Sequence, residues 1–325
     1  MTTSTHYSDI EFGMHNNAER YFWASYHLFG VLSSLIGDTL ILIASFQKDA
    51  FKINKILVVI IQHIAVSDLT YTISGLVTAT ISLLANSWVL GTALCYTRVY
   101  FGYFAFPAGM SLIAMLTTSK FLILRYPLRA ASWSTKRAHQ VCSFIWAFAL
   151  IFPILFFVVD KDDVHFDYRV YNCEYGYNSD AWKKIIPIIG FIWSIVPNMI
   201  IVATTVPTLK FLADAGKSAR RVGGSVPWQG NLTVALTAVV YCISTLPYIV
   251  YQIAISCMKD PSELFIIFFY RLSSFLLMIN VVANFYIYVL TIRSFRIFLF
   301  SKTISVVSIL VSSQNPNTAS TPGEL

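Results

Sequence analysis

The stretch TTSKFLILRYPLR, residues 117–129, closes a long apolar run with three cations and a proline. The cations are Lys120, Arg125 and Arg129, and the proline is Pro127. Such a basic end could bind nucleic acid, a phosphate or a membrane surface. It could also be the inner end of a membrane-spanning helix, where a partner protein docks. The rest of the chain decides between these interpretations.

The composition of the chain is typical of a membrane protein. Of its 325 residues, 56% are hydrophobic and only 12% are charged, whereas soluble domains carry about 25% charged residues. Seven apolar runs each have about 20 residues or more, enough to cross a ~30 Å hydrocarbon core as a helix. They are residues 22–46, 56–84, 94–124, 140–159, 185–212, 231–257 and 264–292. Backbone groups in lipid must bond internally, and the runs are too long for barrel strands. The sequence therefore predicts an all-α membrane protein with a seven-transmembrane helix bundle.

The distribution of charge predicts the orientation of this bundle. With the N-terminus outside, most of the 23 lysines and arginines fall in the inner segments, which is the positive-inside pattern. We therefore expect a multi-pass plasma-membrane protein with a cytoplasmic C-terminus, and we attribute the net charge of +7 to topology rather than to nucleic-acid binding. The predicted parts are an extracellular tail at 1–21, a seven-helix domain with a short amphipathic cytoplasmic helix at 22–300, and a disordered cytoplasmic tail at 301–325.

No catalytic motif stands out in the sequence. Residues 216–218 read GKS, but Phe211 stands where a phosphate-binding loop needs a glycine, and no strand precedes it. The six histidines show no metal-ligand spacing. We expect that the chain is not an enzyme and needs no cofactor.

Polar residues inside the apolar runs carry more information, because ionisable groups are costly in a membrane and usually functional. They are Asp38, Asp68, Asn280 and Asn284, with Tyr288 on the same helix face as the two asparagines. This network could hold a sodium ion or a water cluster, or it could be polar packing without a ligand. A transporter or channel that uses Asp38 and Asp68 as an ion path is an alternative function.

Several short motifs follow one another along the chain in a recognisable order. They are IAVSDL at 64–69, Cys95 with Cys173, Trp146, Pro247 in CISTLP, NFYIY at 284–288, and Phe295. In this order and spacing they resemble the motifs of the rhodopsin-like G-protein-coupled receptors, over all seven runs. The resemblance implies an outer disulfide between Cys95 and Cys173 and a short helix under the membrane that starts near Phe295.

The resemblance also explains the opening stretch. Ser119, Lys120 and Phe121 stand where the family has Asp-Arg-Tyr, as counted both from Cys95 and from Pro127. The residues implied in G-protein coupling are therefore Lys120, Arg125, Pro127 and Tyr288.

Some switch positions depart from the family pattern. Lys120 cannot make the planar fork of an arginine, Ser119 removes a carboxylate, and Phe285 replaces a proline. A receptor-like protein that does not signal is therefore a further alternative. Asp38 replaces an asparagine, and two nearby carboxylates cannot both ionise at low cost. We expect the pair of Asp38 and Asp68 to share a proton or to hold a cation.

A ligand pocket is expected in the outer half of the bundle, because aromatic groups converge there with a few polar groups. The candidate residues are Tyr100, Tyr103, Tyr248, Tyr251, Gln252 and Arg271. These side chains could instead pack between helices, with Arg271 reaching the outer surface. If Arg271 faces the pocket, it favours a ligand with an acidic group.

Two ligand classes of the family are disfavoured. The seventh run has no lysine for retinal, and the third run has no acid for a biogenic amine. The serines and threonines after residue 300 could be phosphorylated by a receptor kinase and then recruit arrestin. We interpret the chain as a receptor that binds an unknown extracellular small molecule or short peptide and activates a heterotrimeric G protein.

Overall fold

The computed structural model of the protein describes residues 17–47, 50–159, 164–167, 171–175, 180–221, 229–257 and 263–301. Within these ranges, seven helices are long and apolar enough to cross a membrane. Helix 1 is Asn17–Ser45, helix 2 Lys55–Ala85, helix 3 Gly91–Arg125, helix 4 Thr135–Val159, helix 5 Asp180–Arg221, helix 6 Gln229–Cys257 and helix 7 Glu263–Thr291. The predicted seven-helix bundle is confirmed, and the chain is a multi-pass membrane protein. Both predicted tails lie almost wholly outside the described residues.

Helix 3 lies at the centre of the bundle, where it contacts helices 2, 4, 5 and 6. Its residues Met110, Leu112 and Ile113 are buried in the main apolar core, together with Ile60 of helix 2 and Tyr241 of helix 6. Large apolar side chains also cover the outside of the bundle, as in Phe144 and Leu290. In a membrane protein, these exposed apolar surfaces contact lipid chains.

Helices 1 and 7 approach closely through two glycines that are spaced seven residues apart. A Cβ at Gly30 would lie 2.4 Å from the sulfur of Met278, and a Cβ at Gly37 would lie 2.7 Å from Cβ of Phe285. Small residues allow such close packing of membrane helices. Phe285 replaces the proline expected from the family pattern. Gly37, which has no side chain, leaves the room that the Phe285 ring occupies.

Helix 2 contains a π-helical turn at Thr72–Leu76. The carbonyl of Gly75 in this turn accepts hydrogen bonds from Thr78 Oγ1 at 3.0 Å and from Asn172 Nδ2 at 3.1 Å. Asn172 begins strand β2 (Asn172–Tyr175), which pairs antiparallel with β1 (Val164–Asp167). The irregular turn therefore holds the hairpin against helix 2.

The hairpin is also tied to helix 3 by the predicted disulfide between Cys95 and Cys173, which is confirmed and joins Cα atoms 5.3 Å apart. We call this end of the bundle the disulfide end, and the opposite end, where helix 3 finishes, the Lys120 end.

The Lys120 end carries two short helical segments. One is Pro127–Ala131, whose proline at the first position is preorganised for a helix. The other, at 293–301, begins after a break at Ile292. Phe295 in this segment is fully buried and stacks on Phe51 at 4.9 Å between ring centroids. Arg296 Nη1 donates to the carbonyls of Val289 and Leu290, each at 3.0 Å, and so caps helix 7.

The contact between Gly37 and Phe285 predicts the effect of a small substitution. Gly37→Ala should destabilise the protein by about 1–3 kcal/mol, because overpacking forces neighbouring side chains to shift. Gly75→Ala is the matched control, since its nearest contacts would be 3.8 Å away. The measurement is the melting temperature of both variants in the same detergent. Equal melting temperatures for the native chain and Gly37→Ala would contradict this packing.

Candidate functional site

The Lys120 end has a cluster of cations without acidic partners among the described residues. Arg125 and Arg129 lie over the ring of Tyr126, at 5.7 and 5.8 Å from its centroid. Ser119 is buried and Lys120 is half-buried beside them. The sequence itself has no aspartate or glutamate between Asp68 and Asp160. Among the described residues, this cluster therefore carries positive charge that no acidic side chain neutralises.

A cavity of about 280 Å³ opens beside this cluster. It is lined by Ile56, Ser119, Leu122, Ile123, Tyr126, Arg129, Ala130 and Trp133. At its edge, Leu128 is 90% exposed, more than any other large apolar side chain described. An apolar residue between Pro127 and Arg129 was the signal in the sequence for this feature, and the sequence reasoning did not use it. The structure thus places an exposed apolar side chain next to Arg129 on the same short helical segment.

The predicted polar network in the middle of the bundle is brought together. Asn284 Nδ2 donates to Asp68 Oδ2 at 2.8 Å, and Ser34 Oγ donates to Asp38 Oδ2 at 2.6 Å. Ser34 is also 2.7 Å from Thr72 Oγ1. Both aspartates are buried and close enough to interact electrostatically.

Two buried oxygen atoms of this network lack a hydrogen bond among the described residues. Asp38 Oδ1 and the hydroxyl of Tyr288 are buried and have no hydrogen-bond partner among the described residues. Asn280 and Asp68 line a small cavity of about 30 Å³, which is room enough for a water molecule. A proton shared by the two aspartates, or a cation held between them, stays a prediction.

The aromatic residues predicted for the ligand pocket lie at the disulfide end. The ring of Tyr248 packs edge-on against Phe106 of helix 3, with 5.2 Å between ring centroids. The ring of Tyr251 packs against Tyr270 of helix 7, with 5.7 Å between centroids. Tyr103 packs against the apolar cluster around the disulfide. The ring of Tyr100 lies edge-on to that of Phe101, with 5.5 Å between ring centroids.

The remaining pocket candidates are Gln252 and Arg271. The side chain of Gln252 lies outside the described part of the chain. Arg271 forms an ion pair with Glu19 of helix 1, and both side chains are partly exposed. Arg271 therefore has an acidic partner within the protein.

A second ion pair at the disulfide end is more buried, and the sequence reasoning missed it. Arg98 Nη2 lies 2.9 Å from Glu174 Oε1, with side chains that are only 11% and 20% exposed. Burial raises the pKa of Glu174, and the neighbouring Arg98 opposes that rise. The signal was available: Arg98 is one helical turn after Cys95 and Glu174 directly follows Cys173, so the disulfide brings both together.

A family model described as "7 transmembrane receptor (rhodopsin family)" matches residues 22–288. The chain belongs to this family. Its seven helices, its disulfide and the contact between Asp68 and Asn284 are the framework on which the two ends of the bundle are arranged. The family is one of receptors, as the sequence resemblance indicated.

Individual relatives are distant. Proteinase-activated receptor 1 of Xenopus laevis is 28% identical over 34% of this chain and 26% of its own length. Probable G-protein coupled receptor 19 of Homo sapiens is 22% identical over 58% of this chain and 46% of its own length. The thyrotropin-releasing hormone receptor of Gallus gallus is 30% identical over 38% of this chain and 32% of its own length. The chain thus spans between about a quarter and a half of the length of these relatives.

The unsatisfied oxygen of Asp38 leads to a testable prediction. Asp38→Asn should stabilise the protein by about 1–3 kcal/mol at pH 8, because two nearby buried carboxyl groups cannot both ionise at low cost and the substitution removes one of them. When a carboxyl group is protonated in the folded state and ionises on unfolding, the folded protein becomes less stable as the pH rises. The gain should therefore be smaller at pH 5.5. Melting temperatures at both pH values provide the measurement.

The control for this experiment is Asp214→Asn, which neutralises an exposed carboxylate of helix 5. It should change the melting temperature little at either pH. A gain from Asp38→Asn that is the same at pH 5.5 and pH 8 would argue against a shared proton.

Proposed function

We propose that the chain is a plasma-membrane receptor with its N-terminus outside and its C-terminus in the cytoplasm. It binds an extracellular small molecule or short peptide between the helices at the disulfide end. It activates a heterotrimeric G protein at the Lys120 end. Membership of the receptor family supports the coarse function, and the observation that carries the finer one is the surface formed by Leu128 and its neighbouring cations.

The positive charge of this surface supports a protein partner that presents acidic side chains or the C-terminal end of a helix. Arg125 and Arg129 are fixed over one ring of Tyr126, and a helix C-terminus carries partial negative charge. The cavity next to Arg129 provides apolar surface in the same place. A partner helix could therefore gain both electrostatic and apolar contacts at this end.

Ser119 sets the resting state of this surface. A serine cannot form the ion pair that a carboxylate would form with Lys120, and Lys120 has no acidic partner among the residues described. No local ion pair then has to break before the partner binds. We therefore expect measurable coupling in the absence of a ligand.

Regulation of the receptor is proposed to use the tail after residue 301. Phosphorylation of its serines and threonines by a receptor kinase would add negative charge, and arrestin would then bind. This segment lies outside the described residues. The proposal rests on the composition of the tail alone.

The exposed side chain of Leu128 provides the test of G-protein coupling. Leu128→Ala removes apolar area that would be buried in the complex, and we expect about tenfold weaker binding of the heterotrimer, or roughly 1.4 kcal/mol. The measurement is binding of purified heterotrimers of each class to the full chain in nanodiscs. Leu128→Met is the control, because it keeps size and apolar character, and it should bind like the native chain.

Two results would count against the proposal. Native chain that binds none of the heterotrimers would favour the receptor-like protein that does not signal. Equal binding by the native chain and Leu128→Ala would place the partner on another surface.

A further inference from the structure

We propose that Arg98 is the anchor for an acidic group of the ligand, and that Glu174 occupies this anchor while no ligand is bound. This inference rests on the proposed function for the existence of an extracellular ligand, and it names the chemistry of that ligand. The group that already binds Arg98 in the structure is a carboxylate. The ligand class that fits the same place is therefore a carboxylic acid.

The guanidinium of Arg98 is held in an almost closed site. Its Nη2 meets Glu174 Oε1 at 2.9 Å, and only 11% of the side chain is exposed. Its Nε is buried and has no hydrogen-bond partner among the described residues. A carboxylate with two oxygens could satisfy a guanidinium through two parallel hydrogen bonds. The pair with Glu174 leaves part of this capacity unused.

The sequence of helix 3 makes room for this arginine. Position 102 is one turn further along the same face, and a Cβ there would lie 3.0 Å from Arg98 Nη1. Gly102 therefore lets the guanidinium lie against the helix and point towards the middle of the bundle. The third run has no acid for an amine ligand, and Arg98 in the same helix provides a cation instead.

Tyrosines complete the surroundings of the anchor. The hydroxyl of Tyr270 on helix 7 donates to Glu174 Oε1 at 3.3 Å. Tyr71 and Tyr103 lie close enough to Arg98 to interact with its charge. A carboxylate at this point thus links helices 3 and 7, and the rings provide apolar surface for the rest of an acidic ligand.

Glu174 can leave Arg98 without moving its strand. Cys173 is fixed by the disulfide, and Asn172 is fixed by its hydrogen bond to the Gly75 carbonyl. We expect rotation of the Glu174 side chain, with loss of its hydrogen bond from Tyr270, to free the guanidinium for another carboxylate. Because the hairpin holds Glu174 near Arg98, a ligand acid competes with a tethered group of high effective concentration. Only a ligand with further contacts in the bundle would displace it.

Arg271, the cation chosen from the sequence, is less suited to this role. Its pair with Glu19 has side chains that are 26% and 36% exposed, and exposed ion pairs contribute little energy. Arg98 is more buried and lies beside the predicted pocket residue Tyr103. The acidic ligand expected from Arg271 is thus better assigned to Arg98.

Chemical rescue tests this anchor without knowledge of the natural ligand. Glu174→Ala would leave Arg98 buried and unpaired and should lower the melting temperature of the purified full chain. Sodium propionate replaces the missing carboxylate and should restore most of that loss as its concentration rises. Propionamide at the same concentration is the neutral control, with sodium chloride added to equal ionic strength. If Glu174→Ala cannot be purified, Glu174→Gln serves, because its amide also leaves Arg98 without a counter-ion.

The double variant Arg98→Met with Glu174→Ala identifies the binding residue. It should show no response to propionate, and the native chain should respond less than Glu174→Ala because its site is occupied. Absence of rescue in Glu174→Ala, or an equal response in the double variant, would overturn the proposal. The readout is thermal stability, so a chain that couples to no G protein would still show rescue. Failure of the anchor and failure of the proposed signalling are therefore distinguishable.

Discussion

The structure depends on one constraint: backbone N–H and C=O groups in hydrocarbon must find partners within the protein. Seven helices satisfy most of these groups, and the departures from regular helix occur where other groups can bond the backbone. The π turn of helix 2 is the best example, because the Gly75 carbonyl accepts from Asn172 of the hairpin. Arg296 does the same for the last carbonyls of helix 7. Irregular backbone thus becomes the place where the loops are attached to the bundle.

Charged side chains obey the same constraint, and they divide the molecule into three levels. At the disulfide end, Arg98 and Glu174 neutralise each other, and we propose that the acid of a ligand can replace Glu174 in this contact. In the middle, Asp38 and Asp68 share a polar network. At the Lys120 end, Lys120, Arg125 and Arg129 lack acidic partners among the described residues, and we propose that a partner protein binds there. Under the proposed function, a ligand that changes the contact of Arg98 with Glu174 and Tyr270 would shift the population of states that differ at the Lys120 end.

The sequence predicted the features that depend on composition and on spacing within the chain. The seven spans, the disulfide and the approach of Asn284 to Asp68 follow from apolar runs and motif order. It did not predict the partners of Arg271 and Arg98, because these depend on the rotation of each helix and on residues far away in sequence. Arg271 is paired with Glu19, 252 residues away, and no local pattern encodes that contact. Leu128 was not predicted, because a single leucine in a sequence does not show whether its side chain is exposed. The structure shows that it is, on a short helical segment next to Arg129.

The most direct test of signalling is basal G-protein activation in cells that express the native chain or Lys120→Ala at matched surface levels, across all heterotrimer classes. We expect the native chain to activate at least one class and Lys120→Ala to lose this activation, because Lys120 is a half-buried cation at this end of helix 3 with no acidic partner among the described residues. Activation by Lys120→Ala equal to that of the native chain would contradict the account. So would a native chain that reaches the surface and activates none of the heterotrimers.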